Sequence, residues 1–333
     1  MTSEFQNILH ANVVLKYRKS VAFPQSFLND CRHDDFHSDL SLIKKRLFET
    51  LGNPYFYDED WGFFLYNCDC VQSMEKLKEV PSFINLIVTS PPYNIGKEYE
   101  FVQDVESYVS WCEKWLDCIY NITNDNGSFW LNLGYFEVPG KGKNVPISYL
   151  LWDKSRFYLE QEIVWHYEAG VAAKKRLSPR NEKWLFYVKN NNDYVFNLDS
   201  VRDQNVKYPN QKKNGKFRCN PLGKNPSDVW NISKVTSGKN RSSKERTIHP
   251  AQFPLEVVER IIKLSSNCGD FILDPFSGSG TTGICAVALG RFYIGFEINC
   301  EYCDATVKRF NQFKDFFNNY HSQKRSVDED NGQ

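Results

Sequence analysis

Several features are missing from these 333 residues, and each absence narrows what the chain can be. No apolar stretch approaches the roughly 18 residues that span a bilayer, and the first residues lack the basic start and apolar core of a secretion signal; a soluble intracellular protein with no membrane partner is expected. The ten cysteines include one lone C-x-x-C (Cys300, Cys303) and one lone C-x-C (Cys68, Cys70), with no second Cys or His pair at zinc spacing. Reduced thiols and no metal site are expected. No Gly-Lys-Ser/Thr occurs, which excludes a phosphate-binding P-loop. An excess of charge is absent too, with 41 Lys or Arg against 41 Asp or Glu. At 41% hydrophobic content, a chain of this length can bury a large core, as one big domain plus a smaller one.

Two segments stand out. Thr89-Ser90-Pro91-Pro92-Tyr93-Asn94 follows an apolar run at 83–88 that reads as a buried strand. Asp274-Pro275-Phe276-Ser277-Gly278-Ser279-Gly280-Thr281-Thr282 follows a second apolar run at 271–273 that ends in a carboxylate. Each is a strand entering a tight loop, and in open α/β sheets ligands sit at the carboxyl ends of strands. Around them, strands are expected at 63–66, 127–133, 163–167, 184–188 and 293–296. Helices are expected at 71–77, 108–119, 254–265 and 282–289. Leu40, Ile43, Leu47 and Leu51 stand at helical spacing in a polar extension of about 50 residues, and the charged tail from 321 reads as disordered. Strand and helix alternate, so a mostly parallel sheet with helices on both faces is expected.

The two loops, in this order, resemble the amino-group DNA methyltransferases, which methylate the exocyclic amine of cytosine (N4) or adenine (N6) with S-adenosylmethionine. The resemblance covers about residues 63–310, and catalysis before cofactor matches the β-class order. It implies a doubly wound, mostly parallel, Rossmann-like sheet, circularly permuted, with a smaller target-recognition insert: a catalytic half at 51–190, the insert at 191–246 and a cofactor half at 247–320. By the same resemblance Ser90, Pro91, Pro92 and Tyr93 form the catalytic loop. Phe276 lines the methionine end of the cofactor, Gly278 and Gly280 let backbone approach it, and Thr281 or Thr282 binds its carboxylate. Asp274 supports that loop, Glu297 holds the ribose hydroxyls, and Asp69 sits at the adenine end, although Cys68 replaces the glycine usual before it. His249, in His249-Pro250-Ala251-Gln252-Phe253-Pro254, falls beside the methionine moiety. Such enzymes act on duplex DNA in the cytoplasm of prokaryotic cells, commonly beside a cognate restriction endonuclease.

Gly278-Ser279-Gly280-Thr281-Thr282-Gly283 also satisfies G-x-G-x-x-G, and Glu297 stands where a nicotinamide enzyme has its ribose-binding acid. Spacing alone does not separate the two sites; the Asp274-Pro275-Phe276 prefix and the second motif favour the methyltransferase. Charge, balanced overall, is uneven locally. Between Lys174 and Arg246, 18 Lys or Arg stand with six acids, in a stretch rich in Asn, Gly, Ser and Pro and carrying Tyr208, Phe217 and Trp230. That composition suits a phosphate-neutralising surface, and Lys174, Lys175, Arg176, Lys212, Lys213, Arg218 and Arg241 are its candidate DNA contacts.

An exocyclic amine is a poor nucleophile because its lone pair is delocalised into the ring. The Ser90 hydroxyl and Pro91 carbonyl, on a proline-stiffened loop, are placed to accept its hydrogens while Tyr93 stacks on a flipped base. Direct in-line transfer needs no covalent intermediate. No Pro-Cys dipeptide occurs, and that setting supplies the nucleophile of cytosine-C5 methyltransferases. In the family, Ser at the first motif position accompanies N4-cytosine and Asp or Asn accompanies N6-adenine, so Ser90 points to cytosine. A nonenzymatic DNA-binding scaffold would have lost motif residues, and an RNA or protein methyltransferase would not need so long a basic insert.

Overall fold

The computed structural model describes residues 37–98, 100–170, 172–235 and 245–330. In chain order the first elements are α1 (His37–Leu51), β1 (Phe56–Asp58), β2 (Phe63–Asn67), α2 (Cys70–Leu77), β3 (Ile84–Thr89), α3 (Val105–Ile122) and β4 (Thr123–Leu133). A hairpin of β5 (Tyr135–Val138) and β6 (Gly142–Pro146) follows, then α4 (Ser148–Leu151), β7 (Tyr158–His166) and β8 (Asn181–Val188). Three short strands, β9 (Lys212–Lys213), β10 (Lys216–Phe217) and β11 (Val229–Asn231), lie in the insert. The chain closes with α5 (Leu255–Ser265), β12 (Phe271–Asp274), α6 (Thr281–Ala288), β13 (Phe292–Glu297) and α7 (Cys300–Asp330).

Nine strands form one sheet in the order β1-β2-β13-β12-β3-β4-β8-β7-β11. From β2 to β4 every neighbouring pair is parallel, whereas β8 runs antiparallel to both β4 and β7. A parallel strand covered on both faces reads as an unbroken apolar run, and β12 and β13 are buried at every position. One face packs on α5, α6 and α7 through Val258, Ile261, Ile284 and Phe310; the other packs on α1, α2 and α3 through Leu47, Met74, Trp115 and Ile119. The doubly wound α/β expectation therefore holds. The unit β3-α3-β4 steps to one side of the centre and β12-α6-β13 to the other, so the direction of winding reverses between β3 and β12.

Polar side chains set where the helices start. Asp69 caps α2 by accepting the Gln72 amide at 2.9 Å, and Asp104 caps α3 by accepting the Ser107 amide at 2.8 Å. The insert reaches the main sheet, because β11 pairs in parallel with β7 and buries Trp230 in the main core. One expectation needs correcting. The tail is helical rather than disordered as far as Asp330: α7 is already nucleated by its packed first turns, and Gln, Lys, Arg, Asp and Glu extend a helix at little cost. The first 36 residues of the expected extension and the last three of the tail lie outside the described residues. Among the described residues no helix is long and apolar enough to cross a membrane, and no His, Cys, Asp and Glu side chains group as metal ligands.

Candidate active site

The two motif loops leave the adjacent central strands β3 and β12, at the reversal point where such sheets open a crevice. Their bases are tied by one carboxylate. Asp274 Oδ1 accepts the Thr89 hydroxyl at 2.6 Å and the Phe276 amide at 3.1 Å, and Oδ2 accepts the Thr282 hydroxyl at 2.7 Å. Asp274 is 1% exposed, and burial pushes its pKa up to about 6 against the pull of those three donors. Asp274 and Thr282, cofactor-side candidates in the sequence, are not in the cavity lining: the donors of the loop engage the carboxylate, and the carboxylate engages the Thr282 hydroxyl. Of the two threonines left open by the sequence, Thr281 is the one in the cavity wall.

The cavity has a volume of about 700 Å³, within the range that holds a cofactor-sized ligand. Ser90, Pro91, Pro92 and Tyr93 form one wall. The Ser90 hydroxyl donates to Tyr93 Oη at 3.0 Å, with Asn132 Oδ1 at 3.4 Å, and Tyr93 Oη donates to Asn132 Oδ1 at 2.8 Å. Asn132, on β4 and 2% exposed, is fixed in turn by its own amide donating to the Lys183 carbonyl at 3.1 Å. Hydroxyl hydrogens thus run away from Ser90 toward Asn132, leaving the Ser90 lone pairs as acceptors. The loop is braced from behind: Tyr108 donates to the Pro92 carbonyl at 2.9 Å, and the Glu100 carboxylate accepts the amides of Tyr93, Ile95 and Gly96 at 3.0, 2.6 and 3.0 Å.

The same cavity is lined by further candidates. Phe276 lines the cavity and packs edge-on against Trp111 and Trp115, at 5.7 and 5.6 Å between ring centroids. Glu297, at the end of β13, accepts the Gly278 amide at 2.7 Å and the Asn299 amide at 2.8 Å; burial raises its pKa to about 7. Asp69 is at the cavity edge on the N-terminus of α2. His249 lies against Tyr302 with centroids 4.6 Å apart, and burial lowers its pKa to about 4, so the ring is neutral near pH 7. Gly278 holds φ at +54°, and a Cβ there would come within 3.1 Å of His249 Nε2, so a side chain would close the space between loop and imidazole. Gly280 is out of the wall: it turns the chain into α6 at φ +70°, with Thr306 where its Cβ would be. A cavity bounded by a buried carboxylate, a hydroxyl and an aromatic ring, with a glycine in its loop, fits an adenosine joined to an amino acid.

The basic candidates divide by location. Lys174, Lys175 and Arg176 are exposed in the loop between β7 and β8, whose Gly170 reaches the cavity mouth. Lys212 and Lys213 are exposed on β9, and Arg218, also exposed, donates to Gln211 Oε1 at 3.3 Å. Arg241 lies outside the described residues. Other cations of this stretch are spent within the protein: Lys183 on Glu162, Lys189 on Asp125, Arg202 on Asp199 and Lys224 on Asp203. Lys234 pairs with Glu182 at 2.5 Å and stands 3.9 Å from the Tyr167 ring centre, at the cavity wall.

Sequence reading missed Asn132 and Glu100. The signal for Asn132 was a single amide inside the apolar run Trp130-Leu131-Asn132-Leu133; nothing local marks Glu100. It also missed the hairpin of β9 and β10, although Asn214-Gly215 is a strong two-residue turn signal and both residues hold positive φ.

Comparison with known proteins agrees with this geometry. Residues 84–308 match the family model described as DNA methylase, the N6/N4 methyltransferases. The chain is 58% identical over 271 residues to the Type II methyltransferase M.ScaI of Streptomyces caespitosus, covering 81% of this chain and 86% of that one. It is 33% identical over 247 residues to the DNA adenine methyltransferase YhdJ of Escherichia coli K12, covering 71% and 80%. The fold is shared with PvuII DNA methyltransferase (cytosine-N4-specific), at a TM-score of 0.57 and 21% identity over 77% of this chain and 92% of that one. With the two motif loops joined at one carboxylate and the family model spanning both, the chain belongs to the N4/N6 amino-methyltransferase family of DNA methylases.

Proposed function

We propose that this protein transfers the methyl group of S-adenosylmethionine to the N4 amine of cytosine in duplex DNA, as the modification enzyme of a restriction-modification pair. The observation that carries the reading is the Ser90 hydroxyl, in the wall of the cavity bounded on its other side by the cofactor loop, with its hydrogen directed to Tyr93 Oη. A hydroxyl held this way accepts an amine N–H without a proton having to move first. The Pro91 carbonyl is a second acceptor, and two acceptors localise the amine lone pair toward the methyl carbon. The nitrogen lone pair then forms the N–C bond as the C–S bond breaks, the C–S electron pair stays on sulfur and neutralises the sulfonium, and the surplus N–H proton is released to solvent.

Phe276, Gly278, Thr281, Glu297, Asp69 and His249 hold the cofactor, and the exposed Lys174, Lys175, Arg176, Lys212, Lys213 and Arg218 neutralise phosphates. The target base leaves the helix at a cost of roughly a few kcal/mol, offset by binding in the cavity and along the basic surface. Adenine N6 is the second reading, favoured by the 33% identity to a DNA adenine methyltransferase. Mass spectrometry of nucleosides from unmethylated duplex DNA incubated with the protein and S-adenosylmethionine tests the proposal. N4-methylcytosine is expected. N6-methyladenine would overturn the base assignment and keep the mechanism, and unmodified DNA would overturn the activity.

A further inference from the structure

Arg309 is a cation in the interior, 4% exposed on α7, and none of the chemistry above uses it. Its Nη1 donates to the Ser279 carbonyl at 3.1 Å and to Thr281 Oγ1 at 2.8 Å. Its Nη2 lies 3.9 Å from Glu245 Oε1, beyond hydrogen-bond reach, and that same oxygen accepts the Leu255 amide at 2.7 Å. Among the described residues Nη2 has no hydrogen-bond partner. The carboxylate thus faces the guanidinium as an ion pair without a hydrogen bond, while Nη1 is committed to the cofactor loop.

The contact with Thr281 also decides which way hydrogens point. A guanidinium only donates, so Thr281 Oγ1 is an acceptor toward Arg309 and must send its own hydrogen elsewhere. Ser279 Oγ lies 3.3 Å away, and both side chains belong to residues that line the cavity. Two hydroxyl hydrogens are available and their mutual contact uses at most one of them. At least one hydrogen of the pair is therefore left over for a ligand of the cavity, with a positive charge beside it. Donors backed by a cation suit an anion, and the anionic part of S-adenosylmethionine is its carboxylate.

We propose that Arg309 is the positioning residue for the carboxylate end of the cofactor site: it orients Thr281 and Ser279 as donors and supplies the positive potential behind them. The inference rests on the cofactor reading given above. A residue that merely plugged the core would affect every ligand of the cavity alike, whereas a carboxylate-directed residue affects only ligands that carry the carboxylate.

The test is isothermal titration of the full chain with S-adenosylmethionine and with decarboxylated S-adenosylmethionine. Arg309→Met is expected to weaken S-adenosylmethionine on the order of tenfold and to leave the decarboxylated ligand within about twofold, the scale of one charge-assisted hydrogen-bond set. Thr281→Val, which keeps Arg309 and the side-chain shape, should shift the ratio in the same direction, and it decides the matter if Arg309→Met does not fold. Arg309→Lys, which keeps the charge without the planar fork, should restore part of the ratio. Equal weakening of both ligands, or an unchanged ratio in Thr281→Val, overturns the proposal. Failure of the wild-type protein to bind either ligand would instead overturn the cofactor reading.

Discussion

Replacing Asp274 separates the effect of its hydrogen bonds from the effect of its charge. The carboxylate is buried and accepts three hydrogen bonds, from Thr89, Thr282 and the Phe276 amide. Alanine leaves all three donors in a space too dry to satisfy them, at roughly 1–3 kcal/mol each. Removing the charge works the other way. With a pKa near 6 in the folded protein against 3.8 for an ordinary Asp, the ionised group disfavours folding by about 3 kcal/mol at neutral pH. Asparagine relieves that penalty and keeps most of the bonds: Oδ1 still accepts from Thr89 and Phe276, and the Thr282 hydroxyl rotates to accept from Nδ2. Urea unfolding at pH 7, followed through the eight tryptophans, should therefore show Asp274→Asn at least as stable as wild type and Asp274→Ala below Asp274→Asn by about 3 kcal/mol or more. The pH dependence has a definite sign. A carboxyl whose pKa is raised on folding adds stability that is fully present below pH 3.8 and is lost as pH rises through about 6. Between pH 7 and pH 5, wild type should gain on Asp274→Asn. Equal stability of the two variants at pH 7, together with parallel pH profiles for wild type and Asp274→Asn, would refute the argument.

Ser90→Ala should lower single-turnover methylation by about 10²–10³-fold, the scale of one preorganised polar group, while cofactor affinity stays within twofold; matched losses in both would sink its assigned role. Cofactor affinity should fall as pH drops below about 7 if, as proposed, Glu297 accepts the ribose hydroxyls as a carboxylate and must lose a proton to bind. Titration calorimetry from pH 5.5 to 8.5 reads this, Glu297→Gln should flatten the profile, and a flat wild-type profile would count against the contact. For the basic surface, Lys174→Ala, Lys212→Ala and Lys213→Ala should each reduce the slope of log affinity against log salt by about 0.9 without changing the site methylated. An unaltered slope would remove that lysine from the phosphate contacts.

The parts of the fold legible in the sequence were those set by local pattern. The runs that became β3, β12 and β13 are apolar because both faces of a parallel strand are covered, so their position could be read one segment at a time. The loops after them were readable for a similar reason: proline and glycine constrain the backbone wherever they stand. What escaped was pairing between distant segments. β11 is three residues inside a polar stretch, and only its partner β7 makes it a strand. Glu100 carries no local sign of its task, because what it satisfies is a set of amides exposed by the turn of another motif. The division between Thr281 and Thr282 had the same origin, since one of them is claimed by a carboxylate eight residues earlier.

That pattern bears on why the two motifs depend on each other. Thr89 is the last residue of the strand that feeds the catalytic loop, and Asp274 is the last residue of the strand that feeds the cofactor loop; the 2.6 Å bond between them crosses 185 positions of sequence. A shift of either strand by one residue would turn one of the two side chains to the other face of the sheet and break the bond. The registers of β3 on β12 are thereby tied to the distance between the acceptor at Ser90 and the cofactor loop. In-line transfer tolerates little error in that distance, and a displacement near 1 Å can cost about 10²-fold in rate. The buried carboxylate therefore links the strand that feeds the catalytic loop to the loop on the cofactor side.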